Sequence, residues 1–168
     1  MKGYNDYISM TRRYLKSYNQ FLVTVENLKE EIKAQEHALS QYLDVSAGIS
    51  KYGGEPGGGT PELNNIESAA ARHEAITARI NQMKMDVESV ERKIRQVDKA
   101  IDGLHGDDRR LIEGYYKDQL SWKDLSVELF MTEKWARERA NKAIREMAVM
   151  IFGSVAMPEQ QQLFIFAV

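Results

Sequence analysis

Polar side chains that could hydrogen-bond to a nucleic acid follow Thr132 on one face of a predicted helix. The apolar positions on the other face recur every three or four residues and are Ala136, Ala140, Ala143, Ile144 and Met147. The small alanines would let this helix lie close to its neighbours. The polar face then points away from the core and carries Glu133, Lys134, Arg137, Glu138, Asn141 and Arg145.

The residues before this helix predict a second helix and a tight turn. Ser121 can cap a short helix, with Asp124 three residues later as in a capping box. Leu125 and Leu129 are four residues apart and share one face, and Thr132 offers a cap for the next helix. This is the layout of a helix-turn-helix, which presents its second helix to the major groove of DNA.

The same stretch resembles region 4 of sigma-70 factors. The resemblance rests on the run LIEGYYKDQLSW at residues 111–122, on Leu125, Leu129 and Thr132, and on NKAIR at residues 141–145. Within that group the chain is most similar to the small phage and prophage regulators of the ArpU and RinA type. The resemblance covers roughly Met10 to Gly153. It implies an activator of late phage genes in which a helical hairpin with a Gly-rich tip precedes the sigma-like module.

The resemblance also implies which residues contact promoter DNA. Glu133, Lys134, Arg137 and Glu138 hold the base-contacting positions, and Asn141 is added because it shares the exposed face. Arginine can bond to guanine with two hydrogen bonds, and glutamate can accept one from cytosine N4. Glu133 stands where a basic residue is common, so the recognised sequence should differ from a housekeeping −35 element.

Basic residues outside this helix are candidates for phosphate contacts, which position such modules on the duplex. They are Arg109, Arg110, Lys117 and Lys123. Simple solubility is the alternative explanation for their charge.

Three aromatic residues carry separate expectations. Phe130 occupies the turn position where the family usually has glycine, and a non-Gly residue at positive φ costs about 1 kcal/mol, so the turn is open to another geometry. Trp122 follows the first cap and is expected to pack in the core. Trp135 is expected to pack beneath its helix, and contact with a DNA sugar is the alternative.

Charge favours specific over indiscriminate DNA binding. The formal net charge is −2, and residues 104–153 contain nine basic and nine acidic side chains. Because non-specific DNA affinity comes mostly from neutralising phosphates, a monomer should bind DNA weakly. Dimerisation through the hairpin, or contact with RNA polymerase, should strengthen this binding. The absence of cysteine suits a reducing compartment, here the cytoplasm of a bacterial host, and no stretch is apolar enough to span a membrane.

Hydrophobic periodicity predicts an all-α fold with three parts. Residues 1–103 form a long antiparallel, coiled-coil-like helical hairpin, with one helix from Tyr7 to about Asp44 and a second after Thr60. A Gly-rich connector at 47–61 joins them. Residues 104–153 form the helix-turn-helix module, in which Asp107 caps a helix that runs from Asp108 to Lys117. Residues 154–168 form a tail that ends in the apolar run 163–168. The two long helices of residues 1–103 could equally pair with the helices of a second chain instead of with each other.

The sequence motifs do not indicate a catalytic site, a cofactor site or a metal site. There is no nucleophile elbow, no HExxH, no phosphate-binding glycine loop and no cysteine for a zinc site. Two other interpretations remain open. One is a phage small terminase subunit, which also couples a helix-turn-helix to an oligomerising helical region and binds DNA for packaging. The other is a helical interaction scaffold with no DNA role, which the neutral charge favours.

Overall fold

The computed structural model of the protein describes residues 3–49 and 61–157. Within these ranges all regular structure is helical, which confirms the predicted all-α class. The elements are α1 (Tyr4–Lys16), α2 (Tyr18–Ile49), α3 (Pro61–Asp102), α4 (Gly106–Ile112), a π-helical segment (Glu113–Lys117), α5 (Trp122–Glu128), α6 (Glu133–Phe152) and a 3₁₀ turn (Gly153–Ala156).

Contacts group the chain into two compact units. The first unit comprises residues 1–22 and 91–168, and the second comprises residues 23–90. The predicted boundary between residues 103 and 104 lies elsewhere, because α1 packs on α6 and so groups with the C-terminal part of the chain. Both α2 and α3 contribute residues to each unit.

The second unit is built from the α2 and α3 residues between 23 and 90. Its buried apolar side chains recur at helical spacing and are Val25, Ile32, Ile80, Met83 and Val87. Ion pairs join the two helices at Glu31 with Arg79 (3.9 Å) and Glu36 with Lys84 (2.6 Å). The described part of α2 continues past the predicted end at Asp44 to Ile49, whereas the rest of the connector, residues 50–60, lies outside the described residues.

The first predicted helix is in fact two helices, which corrects the single run from Tyr7 to Asp44. The chain leaves α1 at Ser17, whose φ of −93° and ψ of 3° are not helical, and α2 begins at Tyr18. Thr11, which interrupts the apolar pattern, is fully buried, and its hydroxyl donates to the carbonyl of Tyr7 at 2.9 Å. A satisfied hydroxyl can be buried at little cost, so Thr11 belongs to the packed face of α1.

Helix α6 is in contact with α1, α4 and α5, and its alanine face is buried as predicted. Ala136, Ala143 and Met147 have no exposed surface, and Ala140 has almost none. At the far end of the helix, Phe152 packs against Tyr7 and Tyr14 of α1, with ring centroids 5.2 and 6.1 Å apart. Small residues in the middle allow close packing, and the aromatic cluster fixes the end.

A polar network connects α2, α3 and the π-helical segment. The Tyr18 hydroxyl donates to Asp98 Oδ1 at 2.7 Å, and Lys117 Nζ donates to the same oxygen at 2.7 Å. Lys117 Nζ also lies 4.6 Å from the centre of the Tyr18 ring, and the Asn19 amide donates to the Lys117 carbonyl at 3.1 Å. Four polar partners from three elements therefore meet in one half-buried cluster.

The helix predicted from Asp108 to Lys117 begins earlier and changes its hydrogen-bonding register. His105 rather than Asp107 occupies the N-cap position of α4, and after Ile112 the chain continues as the π-helical segment. Gly114 in that segment is buried against Leu125 of α5, so a Cβ there would lie 2.5 Å from Leu125 Cδ2. Only glycine lets the two elements approach this closely.

The last helix ends at Phe152, next to the predicted end of the module at residue 153, and the chain continues into the 3₁₀ turn. Ala156 is fully buried, so the first residues of the predicted 154–168 tail are packed on the first unit. The apolar run at 163–168 lies outside the described residues.

Gly114→Ala should destabilise the protein. The added methyl would overlap Leu125 Cδ2, and the fully buried Leu125 side chain would have to shift against its packed neighbours. We therefore expect a loss of about 1–3 kcal/mol in the free energy of unfolding. Urea titration followed by circular dichroism measures this loss. Gly3→Ala is the matched control, because the nearest atom to its new Cβ is 3.9 Å away. Equal stabilities of the two variants would contradict the close packing.

The polar network predicts a loss of stability at alkaline pH. Burial and the hydrogen bond to Asp98 raise the pKa of Tyr18. A raised pKa means that the stabilisation is complete below the ordinary tyrosine value of about 10 and is lost as the pH rises through the higher folded value. We therefore expect the free energy of unfolding to be lower at about pH 11 than at about pH 9, with the loss occurring above about pH 10.

Tyr18→Phe should weaken that dependence, because phenylalanine has no proton to lose. At neutral pH the variant should lose about 1–2 kcal/mol with the hydrogen bond to Asp98. Urea titrations of the wild type, Tyr18→Phe and the control Tyr4→Phe at both pH values provide the comparison. An alkaline loss that is as large in Tyr18→Phe as in the wild type would rule out this network as its source.

Candidate nucleic-acid interface

Two capped helices and a short turn form the centre of the candidate site. The Ser121 hydroxyl accepts from the Asp124 amide at 3.2 Å, and the Asp124 carboxylate accepts from the Ser121 amide at 3.3 Å, which completes the predicted capping box of α5. Thr132 caps α6 in the same way by accepting from the Trp135 amide at 3.2 Å. These caps satisfy amides that have no partner inside the helix, and thereby fix where each helix begins.

The turn between α5 and α6 contains a residue in left-handed conformation. Phe130 has a φ of 53°, so it adopts the left-handed conformation although it is not glycine. The expectation that phenylalanine would give this turn another geometry is wrong. The turn is held by two backbone hydrogen bonds, in which the Phe130 amide donates to Val127 and the Met131 amide donates to Ser126 at 2.9 Å. The Phe130 side chain is 99% exposed, so no burial of the ring offsets the strain.

All five residues predicted to contact bases lie on the exposed side of α6, and they are Glu133, Lys134, Arg137, Glu138 and Asn141. The side chains of Lys134 and Arg137 are 86% and 57% exposed. Neither is covered by the rest of the first unit, and the face they share is open to a large partner.

The charges on this face are paired with each other. Arg137 Nη2 lies 2.9 Å from Glu133 Oε2, and Lys134 Nζ lies 4.0 Å from Glu138 Oε1. Such exposed pairs one helical turn apart contribute at most about 1 kcal/mol each. The cations can therefore exchange their carboxylate partners for groups on DNA at small cost.

The predicted phosphate-contacting arginines take part in ion pairs inside the first unit. Arg110 of α4 donates to Glu128 at 2.9 Å and to Asp118 at 2.8 Å, and its pKa is raised by these two carboxylates, most by Glu128. Arg109 pairs with Asp102 at 3.0 Å and with Glu113 at 3.1 Å.

The arginine ion pairs give Arg109 and Arg110 a structural role. Arg110 joins the end of α5 to α4, because Glu128 is the last residue of α5. Lys123 differs from them, since it is exposed and forms no ion pair with any residue that the structure describes. Lys117, the fourth candidate, pairs with Asp98 at 2.7 Å. Among the four predicted phosphate contacts, Lys123 is therefore the one that has no ion pair to break.

The two tryptophans have different surroundings. Trp122 is half-buried and stacks on Tyr115, with ring centroids 4.0 Å apart and an angle of 19° between the planes, as expected for a packing residue. Trp135 is 55% exposed, so the expectation that it packs beneath α6 is wrong. It lies at the start of α6, next to the predicted base-contacting residues, and presents an aromatic surface to solvent.

Two arginines at the site were not among the predicted contacts. Arg139 of α6 pairs with Asp107 at 2.8 Å and with Asp108, which ties α6 to the start of α4. Arg12 of α1 donates to the Asn141 side chain at 3.0 Å across 129 residues of sequence. Helical spacing around Arg139 could have suggested a half-buried position, but no local signal connects Arg12 with Asn141.

A shallow groove of about 320 Å³ lies beside this contact. It is lined by Lys16, Tyr115, Tyr116, Gln119 and Leu120. Gln119, in the link between the π-helical segment and α5, has a φ of 57°. Burial raises the pKa of Tyr116, and the nearby Arg12 partly offsets this effect, so Arg12 lies close to the groove.

Among the described residues, no three histidine, aspartate or glutamate side chains lie close enough together to hold a metal ion. Likewise, none of the described helices combines the length and the apolar character that a membrane span requires.

Comparison with known protein families, curated proteins and solved structures finds no match for this chain.

Phe130→Gly should stabilise the protein. Glycine adopts positive φ without strain, so we expect a gain of about 0.5–1 kcal/mol in the free energy of unfolding. Phe130→Ala is the matched control, because it removes the exposed ring and keeps the strain. Urea titration of the wild type and the two variants measures their free energies of unfolding. A glycine variant that is no more stable than the alanine variant would show that the turn is not left-handed in solution.

Proposed function

We propose that the protein is a sequence-specific DNA-binding transcriptional regulator, of the kind that activates late genes in phages. In this proposal α5 and α6 form a helix-turn-helix similar to region 4 of sigma-70 factors, and α2 and α3 form an antiparallel hairpin that mediates dimerisation or contact with RNA polymerase. The partner is double-stranded promoter DNA in the cytoplasm of a bacterial host.

The observation that carries the proposal is the division of α6 into two faces. One face is buried against α1, α4 and α5, and the other presents five polar side chains to solvent. This division supports the proposal, because a recognition helix also lies on other helices, follows a short helix and a tight turn, and exposes a polar face to the major groove. The arginine pairs at Arg110 and Arg139 support it, because they hold α4, α5 and α6 in fixed positions.

The paired charges on α6 support sequence-specific rather than general binding. A carboxylate beside Arg137 and beside Lys134 opposes the approach of phosphates to these two cations, so they would contribute affinity mainly through hydrogen bonds to particular bases. The same pairs are the strongest argument for the alternative, a helical scaffold without a DNA role, because a compensated surface needs no nucleic acid. A packaging subunit is the third possibility, and light scattering separates it, since a ring of many copies is expected only there.

Selection of bound duplexes from random DNA tests the proposal directly. The wild type should enrich one sequence pattern. Arg137→Ala should then weaken binding to the selected duplex by about tenfold to a hundredfold and relax the preference at one base pair, because one two-bond contact to a base is worth about 1–3 kcal/mol. Fluorescence anisotropy at fixed salt measures the change.

Arg95→Ala is a closely matched control for Arg137→Ala. Both arginines pair with a glutamate one turn earlier, at 3.4 and 2.9 Å, and their side chains are 56% and 57% exposed. The control removes the same charge from α3 and should leave DNA affinity unchanged. Enrichment of no sequence, or equal effects of the two variants, would count against the regulator and favour the scaffold.

A further inference from the structure

The cations of the first unit differ in whether they have carboxylate partners. Ion pairs with carboxylates are formed by Arg109, Arg110, Lys117, Lys134, Arg137, Arg139 and Lys142. Among the described residues of this unit, seven cations form no ion pair, and they are Arg12, Arg13 and Lys16 of α1, Lys93 and Lys99 of α3, Lys123 of α5 and Arg145 of α6. Three of these seven, Arg12, Lys16 and Arg145, lie where α1 meets α6.

The geometry puts these three cations along one edge, which we call the basic edge (Arg12, Lys16 and Arg145). Arg12 bonds to Asn141, and Arg145 lies one turn after Asn141 on the same face of α6. Lys16 lies one turn after Arg12 on α1 and lines the groove beside Gln119 and Leu120. The basic edge therefore extends from the exposed face of α6 to the residues that precede α5.

We infer that the basic edge binds the phosphate backbone of duplex DNA alongside the groove that α6 enters. The inference rests on the proposed function and adds α1 to the DNA-binding surface.

Two features support a backbone contact at this place. In a helix-turn-helix the first helix crosses the sugar–phosphate backbone while the second lies in the groove, and the Lys16 end of the basic edge lies next to the start of α5. In addition, α1 has three basic residues and one acidic residue, so it supplies the positive charge that residues 104–153 lack. Phosphate neutralisation of this kind contributes affinity without sequence preference.

The test compares Arg12→Ala and Lys16→Ala with Arg13→Ala, a neighbouring exposed arginine on another side of α1. Binding to the selected duplex and to an unrelated duplex is measured by fluorescence anisotropy over a range of salt concentrations. We expect Arg12→Ala and Lys16→Ala each to weaken binding to both duplexes by about threefold to tenfold and to lower the salt slope by about one. Arg13→Ala should change neither quantity, and Arg12→Lys should restore most of the binding.

The outcomes separate the inference from the proposal on which it rests. If the wild type binds no duplex, both fail. If the wild type binds and Arg137→Ala weakens binding only to the selected duplex, while Arg12→Ala and Lys16→Ala bind as the wild type does, the inference alone fails. Equal losses for the Arg12, Lys16 and Arg13 variants would also overturn it, because they would show a general effect of net charge. Circular dichroism melting of each variant shows that the fold is retained.

Discussion

The packing of the first unit depends on the small, buried face of α6. Alanine at positions 136, 140 and 143 leaves no side chain beyond the methyl group, so three helices can approach the same stretch of α6. Larger residues would push α1, α4 or α5 outward, and the ion pairs of Arg110 and Arg139 would then lose their geometry. Close packing on one side of α6 is what fixes the orientation of the charged side chains on the other.

Around that core, the protein uses its charged residues in two ways. Half-buried arginines connect elements that are distant in sequence, as Arg110 does between α4 and α5 and Arg139 does between α6 and α4. Exposed lysines and arginines on α6 instead pair within the helix, where each pair is weak and easily exchanged. For the proposed regulator, the first group maintains the shape of the site, whereas the second remains available for a partner.

The sequence predicted the features that depend on local chemistry. The capping hydroxyls of Ser121 and Thr132 and the alanine face of α6 follow from side-chain type and helical spacing, and the structure contains each of them. Gly114 was not recognised as a close-packing position, because the reason for it is a Leu125 methyl group on another helix.

Features that depend on distant contacts were missed for physical reasons. The interruption at Ser17 has no strong sequence signal, since neither glycine nor proline occurs there. Thr11 is polar, and residue type alone does not indicate that it is buried with its hydroxyl bonded to its own helix. The partners of Arg12 and Arg110 lie 129 and 18 residues away, and pattern analysis of a single chain cannot pair residues at such distances. The roles of the exposed side chains on α6 stay predictions.

The exposed phenylalanine at position 130 has a consequence for how such turns evolve. A left-handed turn residue costs only about 1 kcal/mol when it is not glycine, which a folded domain with a margin of several kcal/mol tolerates. Glycine at this place is therefore a preference that mutation can erase without loss of the turn. A search pattern that demands glycine there would exclude this chain, whereas one that asks for a capping threonine followed by spaced alanines would retain it.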